Sequence, residues 1–189
     1  MDNFILILGD SPFLCTIQDK LQYLLNRYYS IGINNVITKY YTNEHIFLDM
    51  PFVSLTNKFK GNTVTLKTYE GMIRKSNKYL IDTFTFDFNK DTSESICKDG
   101  KIAWCGFTHD YAVSYCVKRG VKHVVLVGAG DFSSGSHFSN SHNFRCSNVC
   151  LEQSKRFIED YVTKVLDIRT VNPESFLQIP RISIEELLS

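Results

Sequence analysis

The chain has no charge excess of either sign. Its 21 Lys and Arg stand against 20 Asp and Glu, leaving a formal net charge of +1. No overall field draws it to nucleic acid or to an anionic membrane surface. It has no apolar run near the roughly 20 residues a membrane helix needs. Its N-terminus carries an acid, Asp2, and no basic stretch, which argues against a secretory signal. It has no CxxC pair among its six cysteines, Cys15, Cys97, Cys105, Cys116, Cys146 and Cys150. Several of these sit in apolar settings, as reduced core thiols do. It has no internal repeat and no domain linker. The expectation from these absences is a soluble, cytoplasmic protein, and 189 residues suit one domain with a sizeable core. The wealth of Asn, Lys, Tyr and Ile is what an AT-rich genome gives, as in a phage or a low-GC bacterium.

What is there begins with Phe4-Ile5-Leu6-Ile7-Leu8-Gly9-Asp10-Ser11-Pro12. An unbroken apolar run ended by Gly and a small polar residue reads as a buried parallel strand entering a turn. Thr16 to Arg27 reads as a helix, with Leu21, Leu24 and Leu25 on one face. Strand, Gly turn and helix are the usual entry to a nucleotide-binding α/β domain. There a glycine lets backbone N–H groups approach a phosphate, and the helix N-terminus favours negative charge. Many α/β domains open this way without binding any nucleotide.

Tyr29 to Ile37 reads as a second strand with the Asn34-Asn35 pair near its end. The pair can hold a ribose hydroxyl or a base edge, or simply form a turn. His45 to Asp49 reads as a third strand ending in an acid. Polar residues at the carboxyl ends of successive strands line the edge where open α/β sheets bind ligands. Residues 51–100 carry two alternating segments, Val64–Thr68 and Thr83–Phe88, and then a polar run from Asn89 to Gly100. They read as an insertion or edge hairpin. Thr108 to Arg119 predicts a mostly buried helix stopped by Gly120. Val121 to Gly128 predicts a strand, Val149 to Lys164 a helix, Val165 to Thr170 a last strand, and Ile184 to Leu188 a short acidic helix. The fold expected is α/β, a single Rossmann-like domain with a mainly parallel sheet and helices on both faces.

Three constellations carry chemistry. The polar loop from Asp131 to Asn148 holds His137 and His142, the residue type best suited to acid–base work near neutral pH. Both also read as ordinary surface histidines. His137, His142, Cys146 and Cys150 form a set that zinc accepts; the competing reading puts the two cysteines in or beside the final helix. Gly9-Asp10-Ser11 matches the nucleophile triplet of SGNH-type esterases. Those enzymes need a late Asp-x-x-His to activate the serine, and this sequence has none and no histidine after His142. Gly128-Ala129-Gly130 begins like a dinucleotide fingerprint, but its third glycine would fall at Ser133.

In order and spacing these stretches resemble a superfamily. It comprises the bacterial sialyltransferases of glycosyltransferase family 42, the motility accessory factors and the archaeal-type 6-hydroxymethylpterin diphosphokinases. Its first strand ends in a G-N-G-P-S-L-like turn, here Gly9-Asp10-Ser11-Pro12-Phe13-Leu14. Its second strand ends in a nucleotide-contacting Asn, here Asn34, and its third in an acid, here Asp49. A Ser/Thr-led buried helix, here from Thr108, then precedes a strand and a Gly-x-Asp-Phe-like turn, here with Asp131-Phe132. The resemblance implies a nucleotide-dependent transferase, a glycosyltransferase using a nucleotide-activated sugar. Its nucleotide contacts would be Gly9, Asp10, Ser11, Asn34, Asp49, Thr108 and Asp131. Its catalytic-loop histidine would be His142, with His137 second. A leaving phosphate could take its proton from Tyr111 or Tyr115 if either is exposed. The family's turn Asn is Asp10 here. A carboxylate repels a diphosphate unless a metal or a proton intervenes, so Mg2+ is the cofactor left open. A nucleotide-binding protein without catalysis, a sensor or sequestering protein, is the alternative of a different class.

Overall fold

The computed structural model describes residues 4–49, 52–56, 59, 61–73, 77–131 and 148–189. The apolar run after Phe4 forms β1 (Ile5–Leu8), and its residues face alternate sides of a sheet. A short α1 (Phe13–Thr16), not expected, and then α2 (Gln18–Arg27), the expected helix starting two residues later, return the chain. β2 (Tyr29–Ile33) ends earlier than expected, because Asn34 takes a positive φ of 50° and opens a 3-10 turn over Asn34–Thr38. Asn and Asp tolerate that left-handed conformation better than other side chains. β3 (Glu44–Ile46) follows.

The segment expected as an insertion or edge hairpin divides instead. After α3 (Val53–Thr56), β4 (Asn62–Leu66) and β5 (Lys78–Ile81) continue the main sheet in parallel register. β6 (Thr83–Thr85), β7 (Cys97–Lys98) and β8 (Lys101–Trp104) make a separate three-stranded sheet. α4 (Thr108–Lys118) leads into β9 (His123–Val127). α5 (Asn148–Arg156) runs on through a π turn and a 3-10 turn to Lys164, then β10 (Asp167–Thr170). The chain closes with α6 (Ile184–Leu188), capped at Ser183, whose Oγ accepts the Glu186 N–H at 3.1 Å.

The main sheet has the order β5-β4-β3-β2-β1-β9-β10, every neighbour parallel. Its two faces are covered as α/β sheets require. Leu6, Leu8, Val125 and Val127 pack under α1, α2 and α6, while Ile7, Ile31, Val124 and Leu126 pack under α4 and the turns after α5. Each such buried side chain contributes roughly 1.5–3 kcal/mol, and the two layers together hold the strand ends in place. This is an α/β, Rossmann-like fold. Among the described residues Cys15, Cys97, Cys105 and Cys116 are free thiols. Among those residues no helix is long and apolar enough to cross a membrane.

Candidate functional site

The strand order reverses beside β1, which has β2 on one side and β9 on the other. The connections therefore leave in opposite directions, and a crevice opens beyond the carboxyl ends of the strands. Here it is a cavity of about 430 Å3. Gly9, Asp10 and Ser11 follow β1, Asn34 follows β2, Leu48 and Asp49 follow β3, and Gly128 to Asp131 follow β9; all line it. Trp104, Phe107, Thr108 and His109, from the end of β8 to the start of α4, form the opposite wall, and Phe52 joins them. The seven residues Gly9, Asp10, Ser11, Asn34, Asp49, Thr108 and Asp131 thus share one cavity.

Gly9 is there for space. A Cβ on it would lie 2.3 Å from the Gly128 carbonyl oxygen and 2.6 Å from Ala129 Cα. Its N–H is donated to the Val127 carbonyl at 3.0 Å, so that donor is spent within the fold. The Ser11 hydroxyl accepts the Phe13 N–H at 3.1 Å and is buried. Asn34 is held at both ends. Its carbonyl accepts the Nε2–H of the buried His45 at 2.9 Å, and its Oδ1 accepts the Thr108 hydroxyl at 3.3 Å. That leaves the amide nitrogen as its donor end.

The start of α4 is locked by a buried polar chain. Asp110 accepts the Phe107 N–H at 3.2 Å and the Ser154 hydroxyl at 2.6 Å. Since Ser154 donates to the carboxylate, it receives the Nε2–H of His109, at 2.9 Å. Burial pushes the His109 pKa down, so the ring is neutral at pH 7, and burial pushes the Asp110 pKa up. The His109 ring stacks on Phe107, 5.3 Å between centroids. With Trp104, whose Nε1–H is donated to the Phe107 carbonyl at 3.2 Å, this wall is flat and aromatic, suited to a planar ring.

Asp131 is the unusual group. Both carboxylate oxygens are buried, and among the described residues neither accepts a hydrogen bond of ordinary geometry. The side chains of Asn172, Ser11 and Ser175 and the charge of Arg181 favour the carboxylate, but burial outweighs them and raises its pKa. Three carboxylates, Asp10, Asp49 and Asp131, line the cavity, and no Lys or Arg is among the described lining residues. The three do not converge: among the described residues no three His, Cys, Asp or Glu side chains group as a metal site needs.

His137, His142 and Cys146 lie outside the described residues, as does Phe132, so the loop histidines and the zinc set are not placed. Tyr111 and Tyr115 do not meet the exposure on which their role depended. Both are buried in the core, and Tyr115 donates to Glu44 at 3.3 Å. Burial pushes both phenols up, so neither meets the exposure that an acid for the leaving phosphate requires. Sequence reasoning missed His45, Phe52, Trp104, Phe107 and His109. It had seen Gly128 and Gly130, whose positive φ of 69° and 74° turns the chain at the cavity, but as a failed fingerprint.

The fold and the position of its cavity define a class: Rossmann-like α/β domains with a crevice at the sheet's switch point. No protein-family model and no curated protein matches the chain in sequence. In structure it is similar to the MAf glycosyltransferase from Magnetospirillum magneticum AMB-1, with a TM-score of 0.65 at 8% identity. The similarity covers 98% of this chain and 34% of that one. The chain spans about a third of that protein's length, and at this identity the likeness is one of fold.

Proposed function

We propose that the chain is a nucleotide-dependent transferase, a glycosyltransferase that uses a nucleotide-activated sugar in this cavity. The observation that carries the reading is the convergence of four strand ends and the N-terminus of α4 on one 430 Å3 crevice at the switch point. The aromatic wall at Trp104 and Phe107 takes the base, and Asn34 offers its amide nitrogen to a base edge or ribose. The first turn of α4, at Thr108, faces the phosphate with its positive dipole end. Fold likeness to a MAf glycosyltransferase supports the choice of reaction. Transfer also needs a group to take the acceptor's proton; His142, with His137 second, is the choice the family resemblance implies.

A second reading keeps the nucleotide and drops the chemistry. It is favoured by the missing cation: no Lys or Arg among the described lining residues stands ready to stabilise a leaving phosphate. The esterase reading has less support. Ser11 accepts a backbone N–H, and no histidine among the described residues is hydrogen-bonded to it.

A thermal-shift series with nucleotides and nucleotide sugars, with and without Mg2+, tests the site. A ligand at 100 times its dissociation constant adds about 2.7 kcal/mol. A shift with one nucleotide family supports the site and names the donor for turnover assays. Binding without consumption selects the second reading, and no shift with any nucleotide removes both.

A further inference from the structure

We infer that Asp131 is the proton acceptor of this site, the group that takes the hydrogen of the hydroxyl that attacks the donor. The inference rests on the transferase reading and assigns a role in it to a described residue in place of the loop histidines.

The placement of Asp131 is built by several elements. Gly128 and Gly130, both left-handed, deliver it at the end of β9. A Cβ on Gly130 would come within 2.9 Å of Leu177 Cδ1, so the turn is pressed against the segment that follows β10. That segment is pinned. Asn172 Oδ1 accepts the Glu174 N–H at 2.9 Å, Ser175 Oγ accepts the Leu177 N–H at 3.3 Å, and the Arg181 guanidinium donates to the carbonyls of Ser175, Leu177 and Ile179. Asp131 therefore stands between Ser11 on one side and Asn172 and Ser175 on the other, in the cavity wall.

Its chemistry is that of a base. A carboxylate holding a diphosphate in place would repel it; one that meets a hydroxyl attracts it. Among the described residues neither oxygen accepts a hydrogen bond of ordinary geometry, and the nearby side chains of Asn172, Ser11 and Ser175 serve the carboxylate too weakly to offset its burial; a buried acceptor served so weakly is costly unless something else supplies a donor. Such an outlier points to a ligand. Burial raises the pKa of the group toward neutrality, which strengthens it as a base, and Arg181 is the one full charge that acts on it among the described residues. In the step, the acceptor oxygen bonds to the anomeric carbon and its proton passes to Asp131. The carbon–oxygen bond to the phosphate breaks, and its electron pair leaves on the phosphate oxygen.

The test is nucleotide-sugar consumption by the full chain, with water or an added sugar as acceptor, across a pH series. Wild type, Asp131→Asn and Asp131→Glu are compared, with nucleotide affinity measured in parallel. Asp131→Asn removes a buried charge and should fold. The expected result is a loss of about 100- to 10,000-fold in turnover, nucleotide affinity within twofold of wild type, and loss of the acid limb of the pH profile. Asp131→Glu should recover part of the turnover. Turnover of Asp131→Asn at the wild-type rate overturns the inference and leaves the transferase reading standing. Parallel loss of affinity and turnover with an unchanged pH profile also overturns it, and makes Asp131 a nucleotide contact. A wild type that binds nucleotide but consumes no nucleotide sugar overturns the transferase reading, and the inference with it.

Discussion

Replacing Gly9 by Ala tests the geometry on which the site rests. The new methyl would lie 2.3 Å from the Gly128 oxygen, 2.6 Å from Ala129 Cα and 2.8 Å from Ala129 N. Ordinary contact begins near 3.4 Å, so the two turns must separate by about 1 Å. The obstacles are backbone atoms of a central strand's turn, and no rotamer change relieves them. The separation also strains the Gly9 N–H bond to Val127, now 3.0 Å. Overpacking costs about 1–3 kcal/mol where side chains can yield, so about 3 kcal/mol is expected here. With a urea m-value of about 2 kcal/mol/M, the midpoint falls by about 1.5 M. Gly71→Ala is the control. No atom lies within 4 Å of its added Cβ, and its loss of unfolded-state freedom should leave it neutral or more stable by up to about 1 kcal/mol. Equal stability of the two variants, within about 0.5 kcal/mol, would refute the close approach of the β1 and β9 turns.

Asp10→Asn should tighten binding of an anionic nucleotide about tenfold by removing a like charge worth about 1–2 kcal/mol at this range; calorimetry showing equal or weaker binding would count against a phosphate beside this turn. Asp131→Asn should be more stable than wild type at pH 7 by about 1 kcal/mol. The sign follows from the raised pKa of Asp131. A folded pKa above the unfolded value near 3.9 means ionisation destabilises the fold, so the gain is full above the folded pKa and vanishes below about 3.9. Denaturation at several pH values reads this, and a gain that grows toward acid would contradict it. Arg119→Met leaves Glu44, 1% exposed, without the guanidinium 2.9 Å from its carboxylate. Breaking a buried pair from one side costs about 3–5 kcal/mol, reduced here to about 2–3 because Arg119 is partly in water. Adding Glu44→Gln should restore part of the loss, and a double variant less stable than Arg119→Met would show that the pair is not the cause.

Much of the layout was legible in the chain itself. Runs such as Ile5–Leu8 and Val124–Val127 are apolar throughout because parallel strands are buried on both faces. Their ends are marked by Gly9, Asn34 and Gly128, where the backbone must turn. The short acidic helix read at Ile184–Leu188 is α6. Strands read in sequence already imply that Gly9, Asn34 and Asp49 share one edge, since successive parallel strands present their carboxyl ends together.

Other features depend on contacts between distant residues, which no local pattern encodes. Residues 51–100 looked like an insertion or edge hairpin because Val64–Thr68 and Thr83–Phe88 alternate; pairing of β4 with β3, and of β5 with β4, made part of the segment a continuation of the main sheet. His109 drew no role from the sequence; its contact comes from Ser154 on α5, 45 residues on. Tyr111 and Tyr115 carry a polar atom that the sequence lets face a ligand, and packing turned both into the core. The isolation of Asp131 is also a tertiary fact. The family resemblance offered it only as a nucleotide contact in a Gly-x-Asp-Phe-like turn. Whether a carboxylate finds partners depends on where Ser11, Asn172, Ser175 and Arg181 come to rest, and they arrive from both ends of the chain.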